Sequence, residues 1–241
     1  MNITLKSRTL SIILILFALV MLVVAYWTTF PMVRDVEYVE GEMALPQPVT
    51  LGTVSIEETL LRRSSIRDYN DQSLSLEDVS QLLWASQGVT RPEWGGRTAP
   101  SAGGTYPLEV YIVVSDRGVD DLESGIYHYI PGRHTLLLVE LGDKSSELAI
   151  AALDQEWVAA ARINIVIAAV FERTTERYGE RGNRYVYMEA GHADQNIYLQ
   201  AAALDLGTVV IGAFHDDQVH RLLDLPDEQK PLYIASVGHP L

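Results

Sequence analysis

The sequence contains no cysteine among its 241 residues. This absence excludes disulfides, zinc–thiolate sites, iron–sulfur clusters and cysteine nucleophiles. Any redox chemistry must therefore come from a bound cofactor.

Basic residues are also scarce. Lys and Arg total 18 against 32 Asp and Glu, which gives a formal net charge of −14. Because phosphate backbones require clustered cations, this balance argues against a nucleic-acid partner. The sequence further lacks a Gly-x-Gly-x-x-Gly element after a strand, a Walker lysine loop, internal repeats and low-complexity tracts.

Near the N-terminus, residues 10–27 form a run of eighteen residues without a charge. As a helix this run spans roughly 27 Å, near the thickness of a hydrocarbon core. Lys6 and Arg8 precede the run and mostly acidic residues follow it. The positive-inside rule therefore predicts one transmembrane helix within residues 1–30, a cytoplasmic N-terminus and a domain outside the membrane.

A cleaved signal peptide is the alternative for the same segment, because Val23 and Ala25 offer a small-residue cleavage site. A retained anchor is favoured because the apolar run is long and ends in Tyr26 and Trp27, which are typical of a membrane interface.

Residues 31–54 contain several prolines and glycines without a clear period, so they are interpreted as a linker that drapes over a domain at 55–241. Ser55 with Glu58, and Ser75 with Asp78, predict the starts of two helices. A long helix is predicted over residues 183–206 with Gly207 as its stop.

Runs rich in β-branched and aromatic residues predict six strands. Their ranges are 108–114, 125–130, 135–141, 163–171, 208–214 and 231–238. Because helices and strands interleave without strict βαβ alternation, the pattern favours a three-layer α+β domain. Its sheet would be mixed or antiparallel and its long helix central.

Arginines and serines cluster just after the first predicted helix. Arg62, Arg63 and Arg67 stand with Ser64 and Ser65, and guanidinium groups of this kind bind phosphate oxygens bidentately. The alternative is that the arginines only complement the dipole of the preceding helix.

Two stretches poor in side chains complete the pattern. Pro100, Ser101, Ala102 and Gly103 lead directly into a strand, which indicates either a tight turn or a flat ligand against the backbone. Gly212 interrupts an apolar strand, where glycine is unfavourable unless a bulge or a close ligand requires it.

Taken together, these segments resemble the nitroreductase superfamily of flavin enzymes, and most closely its SagB-type peptide dehydrogenases. The resemblance covers about residues 55–240. It rests on six motifs in order, at 62–69, 75–91, 97–114, 177–207, 210–214 and 231–240.

The resemblance implies a nitroreductase-like fold with FMN held at the interface of a homodimer. Arg63, Ser65 and Arg67 would contact the phosphate, ribityl chain and pyrimidine edge, and a one-residue shift would let Arg62 and Ser64 share these contacts. The backbone of Pro100–Gly103 would lie against the ring, and Ile211–Gly212 would offer N–H groups near flavin N5.

The implied function is an FMN-dependent oxidoreductase that moves a hydride to or from flavin N5, acting on a small molecule or a peptide. The alternative is a membrane-tethered flavin- or ligand-binding module without turnover. Many relatives extend past the final Gly-x-Pro with a basic tail, whereas this sequence ends at Leu241, so Arg97 is a further candidate for phosphate binding.

No metal site is predicted. Glu189 and His192 have the spacing of a carboxylate–histidine metal pair, but no second copy of the motif is present. His215, Asp216, Asp217 and His220 are interpreted as a helix start capped by Asp216.

Overall fold

The structure is a computed structural model that describes residues 38, 39 and 41–241. The apolar run 10–27, predicted as a membrane anchor, lies outside the described residues. Within the described residues, no helix combines the length and apolarity needed to cross a bilayer.

Ten strands are present in the described chain. They are β1 (Tyr38–Val39), β2 (Glu42–Ala44), β3 (Val89–Arg91), β4 (Gly96–Arg97), β5 (Leu108–Val114), β6 (Gly125–Ile130), β7 (Thr135–Leu141), β8 (Ile163–Val170), β9 (Gly207–Ile211) and β10 (Gln229–Gly238). Eight of them form one sheet in the order β1-β2-β7-β6-β5-β8-β10-β9, and β3 pairs separately with β4. Every neighbouring pair runs antiparallel.

Seven α-helices accompany these strands in the described residues. They are α1 (Ile56–Arg62), α2 (Leu76–Gln87), α3 (Ser145–Ala151), α4 (Glu156–Ala160), α5 (Glu172–Tyr178), α6 (Arg181–Ala203) and α7 (Asp216–Leu222).

Helices cover the sheet on both faces. Leu148, Val158 and Val219, from α3, α4 and α7, join Tyr111 and Val113 of β5 in one buried cluster. The long helix α6 packs with α2 and contacts β5, β9 and β10. The fold is therefore a three-layer α+β arrangement around an antiparallel sheet.

The sequence pattern located the central strands well. The bounds of β5, β6 and β7 coincide with the predicted ranges. Strand β8 is buried along its whole length, as its nearly continuous apolar sequence indicates. Both predicted helix starts are confirmed, because Ser55 accepts a hydrogen bond from the Glu58 backbone and Ser75 forms a full capping box with Asp78.

The segment predicted as a linker also contributes to the sheet. Strand β2 pairs with β7 at the sheet edge, and Arg133 forms a bidentate ion pair with Glu42. After β2 the chain contacts α2, since the backbone N–H and C=O of Val49 both bond to the Gln81 side chain.

Several predicted boundaries are wrong, among them boundaries of α6, β9 and α7. Helix α6 ends at Ala203 rather than continuing to Gly207, and Gly207 opens β9. Strand β9 ends at Ile211, so Gly212 follows the strand instead of interrupting it. His215, without a side-chain cap, precedes α7, and Asp216 is its first helical residue. The first two boundaries follow from the pairing of Gly207–Ile211 with β10.

Candidate functional site

The arginine–serine segment (residues 62–67) leaves α1 and runs beside the edge strand β9. The N–H of Arg63 still bonds to the Thr59 carbonyl at 2.9 Å and closes the helix. The chain then extends, so that Ser65 forms a parallel bridge with Thr208 and the Ile66 N–H donates to the Thr208 carbonyl at 3.0 Å. The segment therefore lies alongside the strand that ends at Ile211.

Tyr198 on α6 organises this region. Its hydroxyl lies 2.9 Å from the Ser65 hydroxyl and accepts the Val210 N–H at 3.1 Å. Its ring lies under the Arg63 guanidinium, 5.2 Å from centroid to carbon. One side chain thus connects the arginine–serine segment to β9.

The three arginines of the segment have different environments. Arg62 forms ion pairs with Glu58 and Asp205. Among the residues that the structure describes, no carboxylate forms an ion pair with Arg63 or Arg67. Arg67 is exposed and lies over the Trp157 ring at 5.2 Å. Two guanidinium groups are therefore available to an anion.

A small cavity of about 210 Å³ adjoins the segment. Exposed Ser64, with Arg62, Arg63, Tyr198 and Thr208, contributes to its wall.

The small-residue turn (residues 100–104) leads from Pro100, which is exposed, into a single 3₁₀ turn over Ala102–Gly104. The Ser101 hydroxyl accepts the Tyr106 N–H at 2.9 Å and donates to the Glu189 carboxylate on α6. The polar group of Ser101 is therefore used inside the protein.

Gly103 is required by the protein itself. Its φ is +62°, and a Cβ would lie 2.6 Å from the Tyr178 hydroxyl and 2.9 Å from Arg177 Nη1. Arg177 Nη1 also donates to the Gly103 carbonyl at 3.0 Å. The fold itself therefore requires glycine at position 103, in addition to the close approach of a ligand that the sequence pattern indicated.

Gly212 differs from Gly103. It is exposed, its φ is not left-handed, and a Cβ would meet only the Tyr233 ring at 3.6 Å, an ordinary contact. The fold alone does not require glycine at this position.

A buried polar cluster lies behind the small-residue turn. Glu189 is 2% exposed, and desolvation raises the pKa of its carboxyl to about 7, against the lowering effects of Ser101 and Arg97. Arg97 donates to Gln87 at 2.9 Å and lies over the Tyr106 ring at 4.7 Å. Burial lowers the pKa of Arg97, and its contacts place it in this cluster rather than in the arginine–serine segment.

Asp194 is a second buried acid on α6. It is 8% exposed, its Oδ1 has no hydrogen-bond partner among the described residues, and burial raises the pKa of its carboxyl to about 7. By contrast, the His192 side chain on the same helix is exposed.

Sequence reasoning missed Tyr198, Trp157, Asp194 and the contact of Glu189 with Ser101. One signal was available for the acids, because Glu189 and Asp194 fall within the apolar stripe of α6 where charged residues are rarely found.

The two candidate regions lie on opposite faces of α6. Glu189 contacts the small-residue turn, and Tyr198 contacts the arginine–serine segment. Nine positions along a helix correspond to two and a half turns and about 13 Å of axial rise. Ile211–Gly212, at the end of β9, lies on the arginine–serine side. One chain therefore places Arg63 and Ser65 beside β9, with Arg67 farther along the same segment over Trp157 of α4, and it places Pro100–Gly103 on the other side of α6.

Comparison with known proteins agrees with this architecture. Residues 60–239 match the Nitroreductase family, and the chain belongs to that family. It is 44% identical over 200 residues to a protein of Methanocaldococcus jannaschii described as a nitroreductase, covering 83% of this chain and 97% of that protein.

More distant relatives differ in their described roles. The microcin B17-processing protein McbC of Escherichia coli is 27% identical and the match covers 73% of this chain and 66% of McbC. An FMN reductase (NADPH) of Bacillus subtilis is 25% identical over 76% of this chain and 65% of that protein. Among solved structures, one from Ralstonia eutropha described as a nitroreductase has a TM-score of 0.73 and 29% identity. That match covers 84% of this chain and 90% of the other.

Proposed function

We propose that this chain is an FMN-dependent oxidoreductase that moves a hydride to or from flavin N5. The observation that carries the proposal is the pair Arg63 and Arg67, two guanidinium groups without a carboxylate partner in the described chain, on a segment that pairs with β9 at Thr208. In a chain of net charge −14, such groups favour a phosphorylated ligand.

The residues present fit FMN. Arg63 and Arg67 would hold the phosphate and the pyrimidine edge, and Ser65 would be placed by Tyr198 beside them. Exposed Gly212 leaves the backbone after β9 open to a planar ring. When bound, the flavin would supply the hydride chemistry that no side chain of this cysteine-free protein can perform. The similarity to an FMN reductase supports the same cofactor.

The contacts also favour one register of the arginine–serine segment. Arg62 is occupied by Asp205 and Glu58, whereas within the described chain Arg63 and Arg67 are not paired with acids. Arg63, Ser65 and Arg67 are therefore better placed to bind FMN than Arg62 and Ser64.

A homodimer would complete the site. Because the small-residue turn and the arginine–serine segment lie on opposite faces of α6, a second copy is needed to bring Pro100–Gly103 against the ring. Apolar side chains are exposed around these faces, including Leu61 at 86% and Met188 at 52%. Such exposure is typical of a surface covered by a partner.

Two relatives support two different substrate classes for this chain. Similarity to McbC supports dehydrogenation of a peptide, as in SagB-type enzymes, and similarity to the M. jannaschii protein supports reduction of a small electrophile. Tyr178 and Arg177 of α5 lie over Gly103 and would face either substrate.

The full chain, purified in detergent, tests the proposal. We expect a dimer by light scattering that binds FMN with an oxidised-flavin spectrum, is bleached by a nicotinamide donor or a peptide substrate and is recoloured by an acceptor. Bound flavin that no donor or substrate reduces would instead support a binding module without turnover. A chain that remains colourless in excess FMN would overturn the proposal.

A further inference from the structure

Two aromatic rings lie against the arginines to which the proposed function assigns FMN. The Arg63 guanidinium lies over the Tyr198 ring of α6, and the Arg67 guanidinium lies over the Trp157 ring of α4, each 5.2 Å from guanidinium carbon to ring centroid. Arg62, by contrast, is held by two carboxylates. The guanidinium groups of this segment that have no acidic partner in the described chain are therefore the ones that lie over rings.

A ring and a carboxylate hold a guanidinium group with different consequences. A carboxylate neutralises the charge and accepts the N–H groups at the edge of the planar fork. An aromatic face attracts the cation through its quadrupole and leaves those N–H donors unbonded. An arginine over a ring can therefore be held in place and still bind an anion.

The ring beneath Arg67 is itself held firmly. Trp157 is half-buried and packs against the core cluster that contains Leu148, Val158 and Val219. Its indole Nε1 is buried and has no hydrogen-bond partner among the described residues. Packing, and not a hydrogen bond of the indole, therefore fixes this ring.

The same short helix also contacts the backbone that follows β9. Gln155, which directly precedes α4, donates from Nε2 to the Ala213 carbonyl at 3.0 Å. Trp157, two positions along, lies beneath Arg67. Arg67 and the residue after Gly212 are far apart in the sequence, and both are contacted from α4 and its first turn. This helix therefore connects the arginine to the second part of the proposed FMN site.

We infer that Trp157 is a positioning residue that holds the Arg67 guanidinium in the orientation in which it binds FMN. This inference rests on the proposed function, in which Arg67 contacts the cofactor. In this role Trp157 acts through Arg67, because the ring limits the conformations that a long, exposed side chain would otherwise adopt. FMN then binds an arginine that is already ordered, and less conformational entropy is lost on binding.

The experiment measures FMN binding to the full chain, purified in detergent, by titration of flavin fluorescence. Trp157→Leu removes the aromatic face and should weaken binding about threefold to tenfold. Trp157→Phe keeps a ring and breaks no hydrogen bond of the indole, so its affinity should stay within about twofold of the wild type. Trp94→Leu is the matched control, on an exposed tryptophan between β3 and β4, and should leave FMN binding unchanged.

A double-mutant cycle separates positioning from a general effect on the fold. In the Arg67→Ala background, Trp157→Leu should change FMN affinity by less than about twofold, because the side chain on which Trp157 acts is absent. An equal loss in both backgrounds would show that Trp157 supports the fold and not Arg67, and it would overturn the inference. An unchanged affinity in the single variant Trp157→Leu would also overturn it and would leave the proposed function intact.

If Trp157→Leu does not fold, site-specific incorporation of fluorinated tryptophan at position 157 decides. Fluorine withdraws electron density from the ring face and weakens its attraction for a cation, while the shape of the side chain changes little. FMN affinity should fall stepwise from the monofluorinated to the trifluorinated ring, and an affinity independent of fluorination contradicts the inference. A wild-type chain that binds no FMN contradicts the proposed function first, and the inference with it.

Discussion

The arginine–serine segment and the small-residue turn differ in how far the protein satisfies its own polar groups. On the segment, the Arg63 and Arg67 guanidinium groups meet aromatic rings instead of acids. In the turn, the Ser101 hydroxyl accepts the Tyr106 N–H, and a Cβ on Gly103 would clash with Arg177 and Tyr178. The first region leaves two cations without acidic partners in the described chain, whereas in the second the polar groups are already used within the protein.

The two regions would therefore contribute to ligand binding in different ways. A ligand that neutralises Arg63 and Arg67 gains charge-assisted hydrogen bonds that the free protein lacks. A ligand against the turn gains a pre-organised surface and loses little entropy in ordering it. Substitutions in the arginine–serine segment should therefore weaken ligand binding, whereas substitutions in the turn should mainly lower the stability of the fold.

The largest effect is expected on the arginine–serine segment. Arg67→Ala removes one charge-assisted contact and should weaken FMN binding by about 1.5–3 kcal/mol, on the order of tenfold to a hundredfold. Fluorescence titration with FMN measures the change. Arg62→Ala is the matched control, and an equal loss in both variants would show that the register of the segment is misassigned.

The unpaired Asp194 predicts a pH-dependent stability. Burial raises its pKa from 3.8 to about 7, so its contribution to stability is complete below the unfolded value and is lost as pH rises through that window. Asp194→Asn should therefore be more stable than the wild type at pH 8 by about 2 kcal/mol, with little difference at pH 4. Urea unfolding followed by circular dichroism at both pH values measures this, and equal stability at pH 8 would contradict it.

The glycines provide a direct contrast between the two regions. Gly103→Ala imposes a left-handed conformation on a residue with a Cβ and should destabilise the fold by about 1–2 kcal/mol even without FMN. Gly212→Ala should change stability by less than about 0.5 kcal/mol and act mainly on FMN binding. Thermal unfolding with and without FMN distinguishes the two, and a stable Gly103→Ala would show that the turn is less constrained than its contacts indicate.

The smallest effect concerns the hydroxyl that supports the arginine–serine segment. Tyr198→Phe removes hydrogen bonds to Ser65 and to the Val210 N–H, and each is worth about 0.5–1.5 kcal/mol. Because the ring beneath Arg63 is retained, we expect a modest loss of stability together with weaker FMN binding. A variant that loses neither would show that the segment is held by its backbone pairing with Thr208 alone.

Much of the fold could be predicted from local pattern. The apolar runs of β5 and β8 and the serine caps before α1 and α2 are local signals, so they gave correct elements. The pairing of β2 with β7 could not be predicted, because three residues carry too little pattern to compete with the nearby prolines. The end of α6 was likewise set by the chain turning to begin β9.

The sequence by itself determined which chemistry is open to this protein: without cysteine, a redox function needs a cofactor, and the ordered motifs identify the family. Only the tertiary structure separated Arg62 from Arg63 and Arg67, gave Gly103 a cause within the fold and placed the small-residue turn across α6 from the arginines. The physical reason is that residue type and spacing act along the chain. Burial, ion pairing and the face of a helix depend on residues that the sequence holds far apart.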